Sequence, residues 1–265
     1  MIDKKIAIIG CGNLGLSILN GLLDKKSFRP ADITVTKRHM ETLSSYSQKG
    51  ISLQTSNSKA IEASELILLA LKPYNISKVL EEIGPSLEPG RHVIISVATG
   101  ISISQIQAHI PAGIPIFRAM PNTAADVGES LTCICSIQGD ETTRAVVQSI
   151  FDSIGRTIHI EEELMDSATV LGACGIAYVL RFIRAMVQGG IEIGFDAETA
   201  SLIVNQTVKG ASELLLQRNT HPEQEIDKVT TPKGCTITGL NEMEHNGFSS
   251  ALIKGILSSY DKIDS

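Results

Sequence analysis

The sequence predicts an α/β chain: a Rossmann-type doubly wound sheet over residues 1–161, followed by an all-α part over residues 162–265. Three observations lead there. A glycine-rich turn follows a short apolar strand near the start of the chain. Strand-like and helix-like segments then alternate up to residue 160. Beyond Glu161-Glu162-Glu163 the alternation stops and only helical spacing remains.

The first strand, residues 4–9, runs into Gly10-Cys11-Gly12-Asn13-Leu14-Gly15, a G-x-G-x-x-G pattern. Gly10 takes the tight turn off the strand. Gly12 has no side chain, so a pyrophosphate can approach the backbone. Gly15 lets the next helix pack on the strand, and that helix turns its free amide ends toward the phosphates. The helix, residues 14–24, is amphipathic through Leu14, Ile18, Leu19, Leu22 and Leu23, which is the context that gives the motif meaning. Ile9 through Gly15 are therefore cofactor-binding candidates.

Further strands are expected at 33–36, 51–53 (short and weak), 66–71, 92–97, 114–118, 130–137 and 156–160. Helices are expected near 40–49, 76–83, 102–109 and 141–153. Lys72-Pro73, Glu88-Pro89-Gly90, Pro111-Ala112-Gly113 and Gln138-Gly139-Asp140 punctuate the joins. This alternation predicts a mostly parallel sheet covered on both faces. In the second part, Leu164, Ala168, Leu171, Val179, Ile183 and Met186 keep helical spacing, as do Ala200, Ile203, Thr207, Ala211, Leu214 and Leu215. Several of these helices are apolar on more than one face. About 100 residues cannot bury them all internally, so the second part is expected to be an all-α dimerisation domain that pairs with a copy of itself.

Composition narrows the class. Apolar residues make up 43% and charged residues 20% of 265, an ordinary globular balance. A net charge of −6 gives no reason to expect nucleic acid or an anionic membrane as partner. The longest apolar run near the middle, residues 66–71, is too short to cross a bilayer, and no signal segment is evident, so a cytoplasmic protein is expected. Five scattered cysteines form neither a disulfide framework nor a metal site. Cys133 and Cys135 share one face of a strand and read as small core residues.

The residues after the second strand speak to the coenzyme. An Asp or Glu there takes the ribose 2′-hydroxyl of NAD, whereas a 2′-phosphate wants basic residues. Here the strand ends in Thr36-Lys37-Arg38. Thr36 offers a hydroxyl, and Lys37 and Arg38 can grip a phosphate, so NADPH is the expected cofactor, with NADH as the alternative. The bland reading of the same residues is a solvated basic loop.

Further segments line up with one family. Ala70-Leu71-Lys72-Pro73 ends the fourth strand, and Ile95-Ser96-Val97-Ala98-Thr99-Gly100-Ile101 ends the fifth. Arg118-Ala119-Met120-Pro121-Asn122-Thr123 ends the sixth, with Val127-Gly128-Glu129 after it. In the helical part stand His221-Pro222 and Val229-Thr230-Thr231-Pro232-Lys233-Gly234-Cys235-Thr236-Ile237. In that order and spacing, over nearly the whole chain, these segments resemble the pyrroline-5-carboxylate reductases, NAD(P)H enzymes that complete proline synthesis. The resemblance implies cofactor binding at Ala70, Leu71, Lys72, Pro73, Ala98, Thr99 and Gly100. It implies the same for Asn57, which reads equally well as a helix cap. It implies substrate contacts at Met120, Asn122, Thr231, Gly234, Cys235 and Thr236. Pro232 to Thr236 lead into a helix whose amides suit the substrate carboxylate, and Thr236 is the catalytic candidate, its hydroxyl on the ring nitrogen. Thr231 and Thr236 could instead merely cap helices. No metal is implied, and assembly is expected to be a homo-oligomer, a dimer through the C-terminal helices or larger.

Two places depart from the family pattern. Ile176, in Ala173-Cys174-Gly175-Ile176-Ala177-Tyr178, replaces a proline, and Lys233 replaces a glycine beside the carboxylate site. These changes leave two rival readings open. One is a paralogous imine or hydroxyacid reductase acting on another small acid. The other is a non-catalytic NADP-binding regulatory homologue. The basic-loop reading has its own test: Arg38→Ala is expected to weaken NADPH more than NADH, and an equal loss for both would contradict a 2′-phosphate grip.

Overall fold

The computed structural model describes residues 1–37, 39 and 41–263; Arg38, expected at the cofactor, lies outside the described residues. The chain divides into two compact units, Met1–Ala173 and Cys174–Ser265.

Among the described residues, the first unit holds an eight-stranded sheet. Its strands are β1 (Ile6–Ile9), β2 (Ile33–Thr36), β3 (Ser52–Gln54), β4 (Leu66–Leu69), β5 (Val93–Ser96), β6 (Ile116–Met120), β7 (Ser130–Ile137) and β8 (Gly155–His159). Their order is β3-β2-β1-β4-β5-β6-β7-β8. All neighbours pair in parallel except β6 and β7, which are antiparallel, Met120 facing Cys133. Every strand expected from sequence is present. The single antiparallel pair follows from its connection, a 3-10 turn at Thr123–Val127, which is too short for a crossover.

The first unit's helices are α1 (Asn13–Asp24), α2 (Ser44–Gln48), α3 (Asn57–Glu62), α4 (Ile76–Ile83), α5 (Ile103–Gln107), α6 (Glu141–Phe151) and α7 (Met165–Ala168). Although Asn57 reads there as a helix cap, no periodicity in the sequence bounds α3. It is short, and what starts it is Ser56, whose Oγ accepts the Lys59 amide at 3.4 Å. A strict alternation divides the core. Ile6 and Ile8 face Ile18, Leu19 and Leu22 of α1, together with Val147, Ile150 and Phe151 of α6. Ala7 and Ile9 face Ala60 and Ile61 of α3, together with Ile76, Leu80 and Ile83 of α4. The all-apolar runs of β1 and β4 are thus explained: both faces are covered, and each buried Ile or Leu contributes about 1.5–3 kcal/mol. Cys133 and Cys135 lie in the second of these clusters as free thiols, as small core residues would.

The second unit comprises α8 (Gly175–Glu192), α9 (Ala197–Arg218), α10 (Pro222–Val229), α11 (Cys235–His245) and α12 (Phe248–Ile263). Val187, Ala200 and Val204 form its small buried cluster, with Ile183, Met186 and Val208 against it. The Phe182 and Phe248 rings meet at 6.1 Å, and the hydroxyls of Tyr178 and Ser259 are 2.6 Å apart. Large apolar side chains stay exposed: Leu180, Leu202, Leu216, Ile253 and Leu257 among them. The helical stretch Glu162–Glu192 is, by length and composition, apolar enough to cross a membrane, and 11% of its most apolar window is buried. Counting uninterrupted apolar runs in the sequence missed this, because polar residues interrupt the stretch without lowering its mean hydropathy much. Apolar surface on this scale marks a contact face.

Gly155 opens β8 at φ +152°, where a β carbon would sit 1.9 Å from the Ser130 carbonyl oxygen and 2.5 Å from its nitrogen. Backbone cannot yield as a side chain does. Gly155→Ala is expected to cost about 3 kcal/mol in urea unfolding, and an unchanged midpoint would contradict this packing.

Candidate active site

Strands β1 to β6 run parallel, so their carboxyl ends share one edge. The chain leaves β1 toward β2 and β3 on one side and returns to β4, β5 and β6 on the other. The crevice at that reversal lies between the ends of β1 and β4, where such sheets bind ligands. The glycine turn sits in it. Gly10 has φ +83°, and a β carbon there would be 2.2 Å from Leu71 Cδ2. One on Gly15 would be 3.3 Å from Ala70 Cβ. One on Gly12 would meet nothing within 4 Å. Gly10 is demanded by its positive φ, Gly15 sits tight against Ala70, and Gly12 leaves open space where a phosphate can approach.

The amides sort the predicted cofactor residues further. Gly10 and Cys11 donate to the Thr36 carbonyl at 3.1 and 3.0 Å, and Gly12 donates to Gly10 O at 2.8 Å. Those three are spent on the turn. The amides of Asn13, Leu14 and Gly15 open α1, and an opening turn leaves its N–H groups without helical partners. They form the end that an anion would meet. Ile9 is fully buried, and Cys11 turns its side chain into the core. Burial pushes the Cys11 thiol up to about 11 against the opposing pull of Lys37, so it stays neutral and unreactive.

At the end of β2, Thr36 is 3% exposed. Its hydroxyl donates to Asn57 Oδ1 at 2.8 Å and accepts the Gly10 amide at 3.3 Å. It joins the glycine turn to Asn57. Asn57 in turn donates from Nδ2 to Glu82 Oε2 at 3.1 Å. Asn57 is the first residue of α3 and not its cap, which is Ser56. Lys37 follows Thr36, half-buried. Glu82 had no place in the sequence reading; nothing along the chain ties α4 to the end of β2.

The other strand ends lie along the same edge. Ala70 and Leu71 are half-buried against the glycine turn, Lys72 is exposed, and Pro73 opens a 3-10 turn. Ala98 is buried, Thr99 is exposed with its hydroxyl 3.9 Å from Met120 Sδ, and Gly100 takes φ +70°. Asn122 is nearly buried. Its Nδ2 donates to Gly172 O at 3.2 Å, and its Oδ1 accepts the Ala124 amide at 3.0 Å. Gly172 belongs to a π-helical turn, Thr169–Cys174, of the kind that recurs at functional sites. The sequence reading also passed over Arg118 and Glu162. Arg118, 5% exposed, donates from Nη1 to Glu162 Oε1 at 2.8 Å, and the same oxygen accepts the Ile103 amide at 2.7 Å. One carboxylate thus ties β6, which leads into Met120–Asn122, to α5, which follows the Ala98–Gly100 loop. The available signal was a lone arginine inside a buried strand.

In the second unit, Thr231 to Thr236 form a tight turn into α11. The Gly234 amide donates to Thr231 O at 2.9 Å, and a β carbon on Gly234 would be 2.5 Å from Thr231 Oγ1. Gly234 is the N-cap and has no side chain to cap with. Cys235 and Thr236 open the helix, both exposed. Among the described residues, neither Thr231 nor Thr236 caps a helix through its side chain. Lys233 takes φ +59°, so the lysine stands where glycine fits better. Ile176 lies within α8, where no proline interrupts the helix. His221 caps α10 through Nδ1, ahead of Pro222. Among the described residues, no group of three or more His, Cys, Asp or Glu could hold a metal ion.

Residues 162–265 match the family described as pyrroline-5-carboxylate reductase dimerisation, and residues 5–100 match the one described as NADP oxidoreductase coenzyme F420-dependent. The chain is 45% identical to pyrroline-5-carboxylate reductase 1 of Dictyostelium discoideum, over 98% of its own length and 49% of that protein. It therefore spans about half the length of that relative. It is 41% identical to pyrroline-5-carboxylate reductase 2 of the same organism, covering 98% of this chain and 92% of that one. Among solved structures, the pyrroline carboxylate reductase of Plasmodium falciparum with NADP bound superposes with a TM-score of 0.89 at 26% identity, covering 99% and 98% of the two chains.

The strain at Lys233 is open to direct measurement. A non-glycine residue in the left-handed region costs about 1 kcal/mol, so Lys233→Gly is expected to raise the unfolding midpoint. A lowered midpoint would contradict the backbone assigned here.

Proposed function

The chain belongs to the pyrroline-5-carboxylate reductase family, and from that premise we propose that it reduces 1-pyrroline-5-carboxylate to L-proline with NADPH as reductant. The observation that carries the reading is the matched segment Pro232–Thr236, which turns into a helix whose glycine N-cap leaves the opening amides to an anion. The substrate is a small cyclic imine bearing one carboxylate, and that anion belongs on the amides of Cys235 and Thr236.

When bound, the reduced nicotinamide supplies the hydride that the C=N carbon accepts. The chain's own residues do the rest. Asn13, Leu14 and Gly15 hold the pyrophosphate by their amides, while Lys37 and Arg38 take the 2′-phosphate. The loops Ala70–Pro73 and Ala98–Gly100 hold the nicotinamide half, and Met120 roofs the substrate. Asn122 keeps the Met120 segment in place through its bonds to Gly172 and Ala124. Thr236 hydrogen-bonds the ring nitrogen, which carries a proton during reduction and keeps it in the amine product. A protonated imine is already a good acceptor, so positioning does most of the work and no strong acid is required. NADH serves as a second, weaker reductant. Two copies pair through the helical unit and cover the exposed side chains of α8, α9 and α12. That burial explains the apolar stretch 162–192 without a bilayer and fits a cytoplasmic enzyme.

Lys233 is the one observation that favours a second reading, a reductase of the same kind acting on a different small acid. Incubation with 1-pyrroline-5-carboxylate and each reduced nucleotide separates the two: oxidation of NADPH with formation of proline is expected, and its absence overturns the proposal. Thr236→Ala is expected to lower kcat by about tenfold or more while leaving the NADPH dissociation constant nearly unchanged. Parallel loss of both would remove the role given to this hydroxyl.

A further inference from the structure

The end of β2 carries no acid, yet the fold brings one there from α4. Glu82 Oε2 accepts from Asn57 Nδ2 at 3.1 Å. A carboxylate has no proton to give, so this contact fixes which way the Asn57 amide faces. Its NH2 points to Glu82 and its carbonyl to Thr36. The Thr36 hydroxyl must then donate to Asn57 Oδ1, at 2.8 Å, and accept from the Gly10 amide, at 3.3 Å. The chain Glu82, Asn57, Thr36, Gly10 is thus polarised in one direction, from an acidic residue to the first amide of the glycine turn. Thr36 ends β2, which is where sheets of this topology meet the adenosine ribose.

We propose that Glu82 sets the coenzyme preference of this enzyme. From α4 it supplies the negative charge that β2 lacks, one side chain removed from the ribose, and it orients Asn57 so that the second N–H of its amide serves the ribose oxygens. The ribose pocket is therefore mixed. Lys37 and Arg38 follow Thr36 in the sequence and favour a 2′-phosphate. Glu82 opposes a 2′-phosphate and leaves the 2′-hydroxyl of NADH acceptable. This inference rests on the reading of the chain as a nicotinamide-dependent reductase, but not on which imine it reduces.

The test is the affinity of the full chain for NADP+ and NAD+ by titration calorimetry, with kcat/KM for both reduced nucleotides alongside. Glu82→Gln keeps an acceptor for Asn57 and removes the charge. It is expected to raise the NADP+ to NAD+ affinity ratio about two- to fivefold at low salt, with the gain shrinking at about 0.5 M salt. Glu82→Asp keeps the charge and is expected to hold the ratio near its original value. An unchanged ratio in Glu82→Gln, or equal weakening of both nucleotides, would make Glu82 a structural contact only and overturn the proposal. Because nucleotide affinity is read without turnover, a shifted ratio in a protein that fails to reduce the imine would sink the proposed reaction and leave this inference standing.

Discussion

A β carbon on Gly10 would lie 2.2 Å from Leu71 Cδ2, and one on Gly15 would lie 3.3 Å from Ala70 Cβ. This close approach between the turn after β1 and the loop after β4 sets the rest of the first unit. It closes the crevice at the reversal of strand order, brings the Ala70–Pro73 loop beside the glycine turn, and aims the start of α1 along the sheet edge. A methyl group at Gly10 would displace the Leu71 side chain, crowd the Ala70 carbonyl oxygen at 3.1 Å and sit on a backbone at φ +83° that L residues rarely adopt. The same residues that look like a phosphate motif are thus packing residues first. Gly12 alone of the three faces open space.

Buried polar groups then hold the other loops at that edge. Thr36 spends its hydroxyl on Gly10 and Asn57. Glu162 takes Arg118 and the Ile103 amide with a single oxygen. Asn122 spans two backbone groups. A paired buried charge of this sort adds little net stability, because desolvation offsets most of the attraction. Its use is geometric: a buried guanidinium on β6 bonded to a half-buried carboxylate on the 3-10 turn at Glu162–Leu164 tolerates little displacement of the segments that carry them. The loops along that edge are thus held by side-chain bonds between residues far apart in sequence.

The helical unit follows a different logic. Its own core is small, and its helices expose leucines and isoleucines that a lone domain would hide. Membership in a family whose C-terminal part is described by dimerisation gives that surface a purpose. Some 90 residues cannot bury that much apolar surface internally, which agrees with the proposed pairing. The turn at Thr231–Thr236 lies in this same unit, and Lys233 takes a left-handed backbone there at φ +59°.

Much of this could be read from residue order. The strands of the sheet follow from apolar runs and turn residues, the glycine turn from its spacing, and a helical second part from the change of period after Glu163, although the compact second unit starts only at Cys174, residues 162–173 packing with the first. Local patterns determine these because neighbours along the chain enforce them. What lay beyond reach came from contacts distant in sequence. α3 is too short to show a period and depends on Ser56. The antiparallel β7 depends on the length of one connection. Arg118 and Glu162 find each other across 44 positions, and Asn57 and Glu82 across 25. The sequence alone determined the strands, the longer helices and where a dinucleotide could sit. The tertiary structure alone decided which side chains orient that seat, because a hydrogen bond between remote residues leaves no trace in their spacing.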